Sequence, residues 1–260
     1  MFLLDGSPPL VLHVKHPPID LDSLAWEHQL VRRLSERLPE VPAPLPAHDG
    51  RTFVLHQGKP VWLTLYLTGS PAQPSDRRVV AAALARLHSV TIDLPLRPGH
   101  SRIGERPIPA VGEMPREFDP WLPLISQARS DMIGMISQIN ETGRITVGIT
   151  HNDIFPGNVL IKDAQVTALL DWEEADIDWL VWDVACSIWP FRGMANVGAA
   201  IADFIAGYRD AGGRLPPDEE ELIIPLIRAK RILEVLRAPT DRDPRWDLQL
   251  ANLGAYEALR

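Results

Sequence analysis

The segment His151-Asn152-Asp153-Ile154-Phe155-Pro156-Gly157-Asn158, with Val159-Leu160-Ile161 after it and Leu169-Leu170-Asp171-Trp172-Glu173 beyond a polar turn, constrains this chain more than any other. Val159 to Ile161 and Val166 to Leu170 are short apolar runs separated by Lys162-Asp163-Ala164-Gln165, which predicts two strands joined as a hairpin. Pairing them places Asn158, at the start of one strand, beside Asp171, at the end of the other. A carboxylate and an amide oxygen on neighbouring strands suit magnesium, which takes hard oxygen ligands and keeps several waters. Pro156-Gly157 turns the chain between Asp153 and Asn158, so Asp153 can face an incoming hydroxyl and accept its proton. His151 is expected to brace the loop rather than do chemistry. A base and two magnesium ligands in this order is how a phosphoryl-transfer site is furnished.

The same residues resemble the aminoglycoside phosphotransferase, choline kinase and homoserine kinase superfamily, small-molecule relatives of the protein kinases. The family pattern runs His-Gly-Asp-x-x-x-x-Asn, a strand hairpin ending in Ile-Asp-Phe/Trp, then Tyr/Trp-Asp-Leu-Ala. This chain offers Asp153, Asn158, Asp171 and Trp182-Asp183-Val184-Ala185 in that order. The resemblance implies an α/β (α+β), two-lobed, protein-kinase-like fold. Residues 1–68 would form a small β-rich nucleotide-binding lobe, and residues 69–260 a larger, mainly helical catalytic and acceptor-binding lobe. It further implies that Asp153 is the catalytic base, that Asn158 and Asp171 hold Mg2+, that ATP is the phosphate donor, and that Asp183 supports the loop through hydrogen bonds. Asn152 departs from the commoner glycine, although the choline kinase branch often has His-Asn-Asp.

Upstream, Leu10 to Lys15 reads as a strand closed by Pro17-Pro18. Leu21, Leu24, His28, Val31, Leu34 and Leu38 recur at helical spacing, with Asp20 and Asp22 as candidate caps. Pro39, Pro42, Pro44 and Pro46 force an extended connection. Phe53 to His56 and Val61 to Leu67 predict two more strands, joined around Gly58. Under the resemblance, Leu65-Tyr66-Leu67 is the hinge that reads adenine, and Glu27 is the helix glutamate that pairs with a phosphate-binding lysine. That lysine position aligns with His13, and Lys15 lies two residues on, on the same strand face. Three arrangements stay open: Lys15 supplies the cation, His13 does, or the phosphates are held mainly through magnesium. Relatives carry two strands and a phosphate-covering loop before this strand, whereas residues 1–9 precede it here, with Gly6 the single glycine. The first lobe therefore reads as trimmed, or the true start lies upstream. This admits a second reading, a pseudokinase that binds nucleotide without turnover.

Further on, Ser75 is a candidate cap for a helix carrying Val80, Ala83, Leu84 and Leu87, and His88 at its end reads as structural. Ser89 to Phe118 is an irregular, proline-rich connection, and Trp121, Ile125, Ala128, Met132, Met135 and Ile139 mark a long helix. Ile201, Phe204, Ile205 and Tyr208 mark another, closed near Gly212-Gly213. Asp218 and Glu221 open a further helix, with Leu222, Leu226, Ala229, Leu233 and Leu236 inward. The last is expected from about Pro244 to Leu259.

The chain has 260 residues, 45% of them hydrophobic, enough for a sizeable core in one large or two small domains. A net charge of -8 argues against a nucleic-acid partner. Cys186 is the single cysteine, which excludes an internal disulfide. Met1-Phe2-Leu3-Leu4 lacks the features of a secretory signal and no apolar run is long enough to span a bilayer, so a soluble cytoplasmic protein without membrane partners is expected. Glu173, Glu174, Asp176 and Asp178 crowd the segment after Asp171 and would favour an amine-bearing acceptor, the alternative being a solvated acidic loop. Trp172, Trp179, Trp182 and Trp189 flank it, and are either core or a surface for a quaternary ammonium. The expected activity is ATP-dependent transfer of a γ-phosphate to a hydroxyl of a small molecule: an aminoglycoside-like antibiotic, homoserine or another amino alcohol, with choline or ethanolamine as the alternative branch. A protein acceptor is disfavoured, because the chain passes from Asp171 to Trp182-Asp183 without room for an activation segment.

Overall fold

In this computed structural model residues 1–16, 18–193, 196–241 and 245–259 are described. Pro17 and Pro244, which the sequence placed at a strand end and a helix start, lie outside them. The chain opens with β1 (Phe2–Leu4) and β2 (Leu10–Val14), then α1 (Leu21–Ser35), β3 (Val54–His56) and β4 (Lys59–Leu65). These strands form an antiparallel sheet in the order β1-β2-β4-β3. Gln57 and Gly58 both adopt left-handed φ, 50° and 74°, the mirror-image turn whose twist matches a two-residue hairpin. Asp20 caps α1, its carboxylate accepting the backbone N–H of Asp22 at 3.0 Å and of Ser23 at 3.3 Å. Leu24, Leu30, Val31 and Leu34 give the helix its buried stripe. The proline-rich connection runs extended beside β4, where the Leu45 N–H donates to Leu63 O at 2.8 Å.

Next come β5 (Ser70–Pro71), α2 (Arg77–Ser89) and α3 (Leu122–Thr142). The entrance to α2 differs from expectation. Residues 74–76 form a tight 3₁₀ turn, and it is Asp76, not Ser75, whose carboxylate accepts the Gln73 N–H at 2.7 Å. The chain continues through β6 (Val147–Thr150), β7 (Val159–Lys162), β8 (Gln165–Leu169), β9 (Asp176–Trp179), α4 (Leu180–Ile188) and α5 (Val197–Asp210). β7 and β8 form the expected hairpin, closed by Asp163 and Ala164 at φ 51° and 56°, and β6 pairs with β9. The final elements are α6 (Pro217–Glu220), α7 (Ile223–Arg237) and α8 (Trp246–Ala258). The single helix expected from Asp218 is thus broken at residues 221–222. Glu219 is buried instead of facing water, because its carboxylate accepts the backbone N–H of Thr146 at 2.8 Å and bonds the same residue's hydroxyl.

Two compact units result: residues 1–100 with 147–214, and residues 101–146 with 215–260. In the first, α2 lies against α5 so closely that a Cβ on Gly207 would sit 2.6 Å from Arg78 O. The second packs α3, α7 and α8 around Ile125, Met132, Leu226, Leu233 and Leu253.

Candidate active site

The loop at His151 leaves β6 and is held from beneath by Asp183, on the first turn of α4. The fully buried Asp183 carboxylate accepts the backbone N–H of His151 at 2.6 Å and of Asn152 at 2.9 Å. His88, from the end of α2, lies 3.2 Å from the same carboxylate through Nε2, and its Nδ1 is 2.8 Å from the Tyr208 hydroxyl. Burial alone would push the Asp183 carboxyl up, but its bonds to His88 and His151 outweigh that and hold it below the usual carboxylate range. His151 is buried, which lowers its own pKa. Its ring lies 4.6 Å from that of Trp172, and its Nε2 is 3.0 Å from Leu170 O. Asn152 sits at φ 64°, a left-handed conformation open to glycine and, among side chains, best tolerated by Asn and Asp. That explains the departure from glycine seen in the sequence. Its amide also binds the Thr150 hydroxyl at 2.9 Å and Glu174 O at 3.0 Å.

Asp153 and Asn158 meet across the Pro156-Gly157 turn. The Asn158 Nδ2 donates to the Asp153 carboxylate at 2.9 Å and to Asp153 O at 3.0 Å. The Leu170 N–H donates to Asn158 O at 2.8 Å, extending the β7–β8 ladder one step so that Asp171 follows directly. Asp171 is exposed at φ 62°.

Asn158 and Asp171 line a cleft of about 540 Å³, all of it in the first compact unit. The cleft is also lined by His13 on β2, by Lys15 just after it, by Glu27 on α1, by Leu65 at the end of β4, and by Tyr66 and Leu67 beyond it. The Tyr66 N–H is taken by Pro9 O at 3.1 Å. Lys15 pairs with Glu173 at 3.1 Å, whereas Glu27 lies 3.6 Å from Arg97. Burial pushes the Glu27 carboxyl up to about 7 against the pull of Lys15 and Arg97. His13 stacks on Trp62 with ring centres 4.9 Å apart, and burial, with the N-terminal ammonium, lowers its pKa to about 4.

Not all the predicted residues converge. Glu173 lines the cleft and Glu174 is exposed, but Asp178 is fully buried on β9, where it accepts the Trp179 N–H at 2.8 Å. Trp179 and Trp182 are core residues, while Trp172 borders the cleft. Trp189 carries the Arg192 guanidinium 3.7 Å above its ring. Sequence reasoning missed Arg97. It lies in a proline-rich stretch without periodicity, and no local pattern marks an arginine for burial.

A catalytic-type loop pinned by a buried carboxylate, with Asn158 and Asp171 on one cleft beneath a small antiparallel sheet, defines a small-molecule phosphotransferase of the protein-kinase-like class. The chain belongs to the phosphotransferase enzyme family (APH), whose description matches residues 1–222. It is 27% identical over 247 residues to a homoserine kinase of Rhizobium meliloti (strain 1021), covering 87% of this chain and 70% of that relative. A homoserine kinase of Bradyrhizobium sp. (strain BTAi1) is 27% identical over 220 residues, 77% of this chain and 63% of that relative. The chain therefore spans about two thirds of the length of these curated relatives. Among solved structures, a microcompartment-associated aminopropanol kinase superposes with a TM-score of 0.71 at 18% identity, covering 98% of this chain and 84% of that one. A spectinomycin phosphotransferase in complex with ADP and spectinomycin does so with a TM-score of 0.63 at 13% identity, covering 98% and 84%. These two likenesses establish the fold.

Proposed function

We propose that the protein transfers the terminal phosphate of ATP to a hydroxyl of a small amino alcohol, with homoserine the first candidate. The observation that carries this reading is the Asp153–Asn158 contact at 2.9 Å, with Asn158 and Asp171 opening on the same cleft. Residues 1–68 then serve the nucleotide and residues 69–260 the reaction and the acceptor.

The donor set fits magnesium. Asn158 spends its N–H groups on Asp153, which turns its amide oxygen toward the role of ligand, and Asp171 adds an exposed carboxylate. When bound, the ion would be held by Asn158 and Asp171 and would supply positive charge against the charge developing on the transferred phosphate. Asp153 orients the acceptor hydroxyl and takes its proton, and the Asn158 amide fixes the carboxylate that does so. Lys15 supplies the fixed cation at the phosphates, because His13 is neutral at pH 7. Leu65, Tyr66 and Leu67 frame the adenine. Asp183 and His151 keep the loop in place. The homoserine kinases among the relatives favour an amino-alcohol acceptor over an antibiotic.

The test is ADP release in ATP and magnesium with homoserine, aminopropanol, ethanolamine, choline and spectinomycin offered separately. Release that depends on an amino alcohol and drops by about 100-fold or more in Asp153→Ala supports the reading. Retained nucleotide binding with no acceptor-dependent release would overturn it in favour of a binding module.

A further inference from the structure

We propose that Arg97 is a positioning residue that latches α1 to the loop following Asp171 and so fixes where that carboxylate stands; the metal half of this inference rests on Asp171 being a magnesium ligand. Three contacts carry residues 93–97 along one face of α1 in the opposite direction to the helix. Arg33 donates to Asp93 O at 2.7 Å, the Trp26 indole N–H donates to Pro95 O at 2.8 Å, and the Arg97 Nε donates to the Ser23 hydroxyl at 2.6 Å. Positions 23, 26 and 33 share one helical face, so the segment is a strap rather than a loose connection.

The strap ends in a buried guanidinium, 5% exposed, that reaches the loop after Asp171. One Arg97 nitrogen donates to Glu173 O and, at 3.0 Å, to Ala175 O. The carbonyl between them, Glu174 O, is taken by the Asn152 amide at 3.0 Å. Three consecutive carbonyls are thus held by side chains from two other segments, one of them the catalytic-type loop. Arg97 also faces Glu27 at 3.6 Å and stands 5.7 Å over the Trp26 ring. Asp171 keeps a left-handed backbone, at φ 62°, which aspartate tolerates better than most side chains but which its surroundings must still select. Pinning the carbonyls of residues 173–175 imposes it from one side, and the β7–β8 ladder does so from the other. A lysine would keep the charge beside Glu27 but lacks the planar fork that reaches Ser23 and two carbonyls together.

The test compares wild type, Arg97→Lys and the milder Ser23→Ala. Hydrogen exchange of the residue 172–177 amides in the ligand-free protein reads the latch, and the magnesium dependence of binding to a non-hydrolysable ATP analogue reads its consequence. Arg97→Lys should fold, exchange that segment at least about 10-fold faster, and lose roughly 10- to 100-fold of the affinity that magnesium adds, with metal-free affinity unchanged. In turnover, kcat should fall while the acceptor KM holds. Ser23→Ala should show the same changes in weaker form, and it carries the test if Arg97→Lys does not fold. Unchanged exchange and an unchanged magnesium effect in a folded variant would overturn the proposal. A wild type without any magnesium effect would instead sink the reading of Asp171, and accelerated exchange in Arg97→Lys would still support the latch.

Discussion

At the scale of single residues, burial decides the ionisation of the two histidines that contact Trp62. His28 is 2% exposed, with Nδ1 2.9 Å from the Thr52 hydroxyl and its ring edge-on to Trp62, and its pKa falls to about 4 chiefly through burial. His13, which stacks on Trp62, falls to about the same value. For both, the folded pKa lies below the unfolded value of 6.5, so protonation favours unfolding. The contribution of the two histidines to stability is therefore fully present above pH 6.5 and is lost as pH falls toward 4, while Glu27, with its carboxyl raised to about 7, acts in the opposite sense between about 4.5 and 7. His28 alone should cost roughly 1 kcal/mol per pH unit as pH falls from 6.5 toward 4. Thermal unfolding between pH 6.5 and 5 checks this: the melting temperature should fall less steeply with pH in His28→Gln than in wild type. An equal slope in both would remove the assignment. The sequence named His13 as a cation candidate because residue type and position were visible in it. The stack on Trp62 and the loss of solvent that keep it neutral were not.

At the scale of elements, the hairpins were legible because both signals are local. Alternating polar turns and short apolar runs set β7 and β8, and Gly58 marked the turn between β3 and β4. Helix contacts are a different matter. Gly207 reads in the sequence as one more small residue in an amphipathic helix, yet a Cβ there would meet Arg78 O at 2.6 Å and Arg78 Cα at 2.8 Å. Gly207→Ala should destabilise the protein by about 1–3 kcal/mol, because backbone atoms cannot give way as a flexible side chain does. Gly134, inside α3, has nothing within 4 Å of such a Cβ, so Gly134→Ala should be neutral or stabilising by up to about 1 kcal/mol. Urea unfolding of the two variants separates these outcomes, and equal midpoints would contradict the argument. The strap of residues 93–97 was equally hidden. Prolines interrupt any period, and its order comes from bonds to α1, far away in sequence.

At the scale of the whole molecule, a ligand that binds only the folded protein must stabilise it. Magnesium and ATP at about 100 times their dissociation constant should add about 2.7 kcal/mol, or roughly 5 to 10 °C in melting temperature for a chain of this size. Asp171→Asn should lose the part of that shift that needs magnesium, and a shift indifferent to the substitution would remove Asp171 from the metal site. What the sequence determined by itself was the chemistry and the family. Asp153, Asn158, Asp171 and Asp183 fall in a fixed order, and short strands and turns between them force their spacing. What the tertiary structure alone decided was electrostatic state and partnership: that His13 is buried and neutral, that Glu27 faces Arg97, that Lys15 meets Glu173, and that Asp178 belongs to the core. Those outcomes depend on desolvation and on contacts between segments far apart in the chain, and neither is written in any local run of residues.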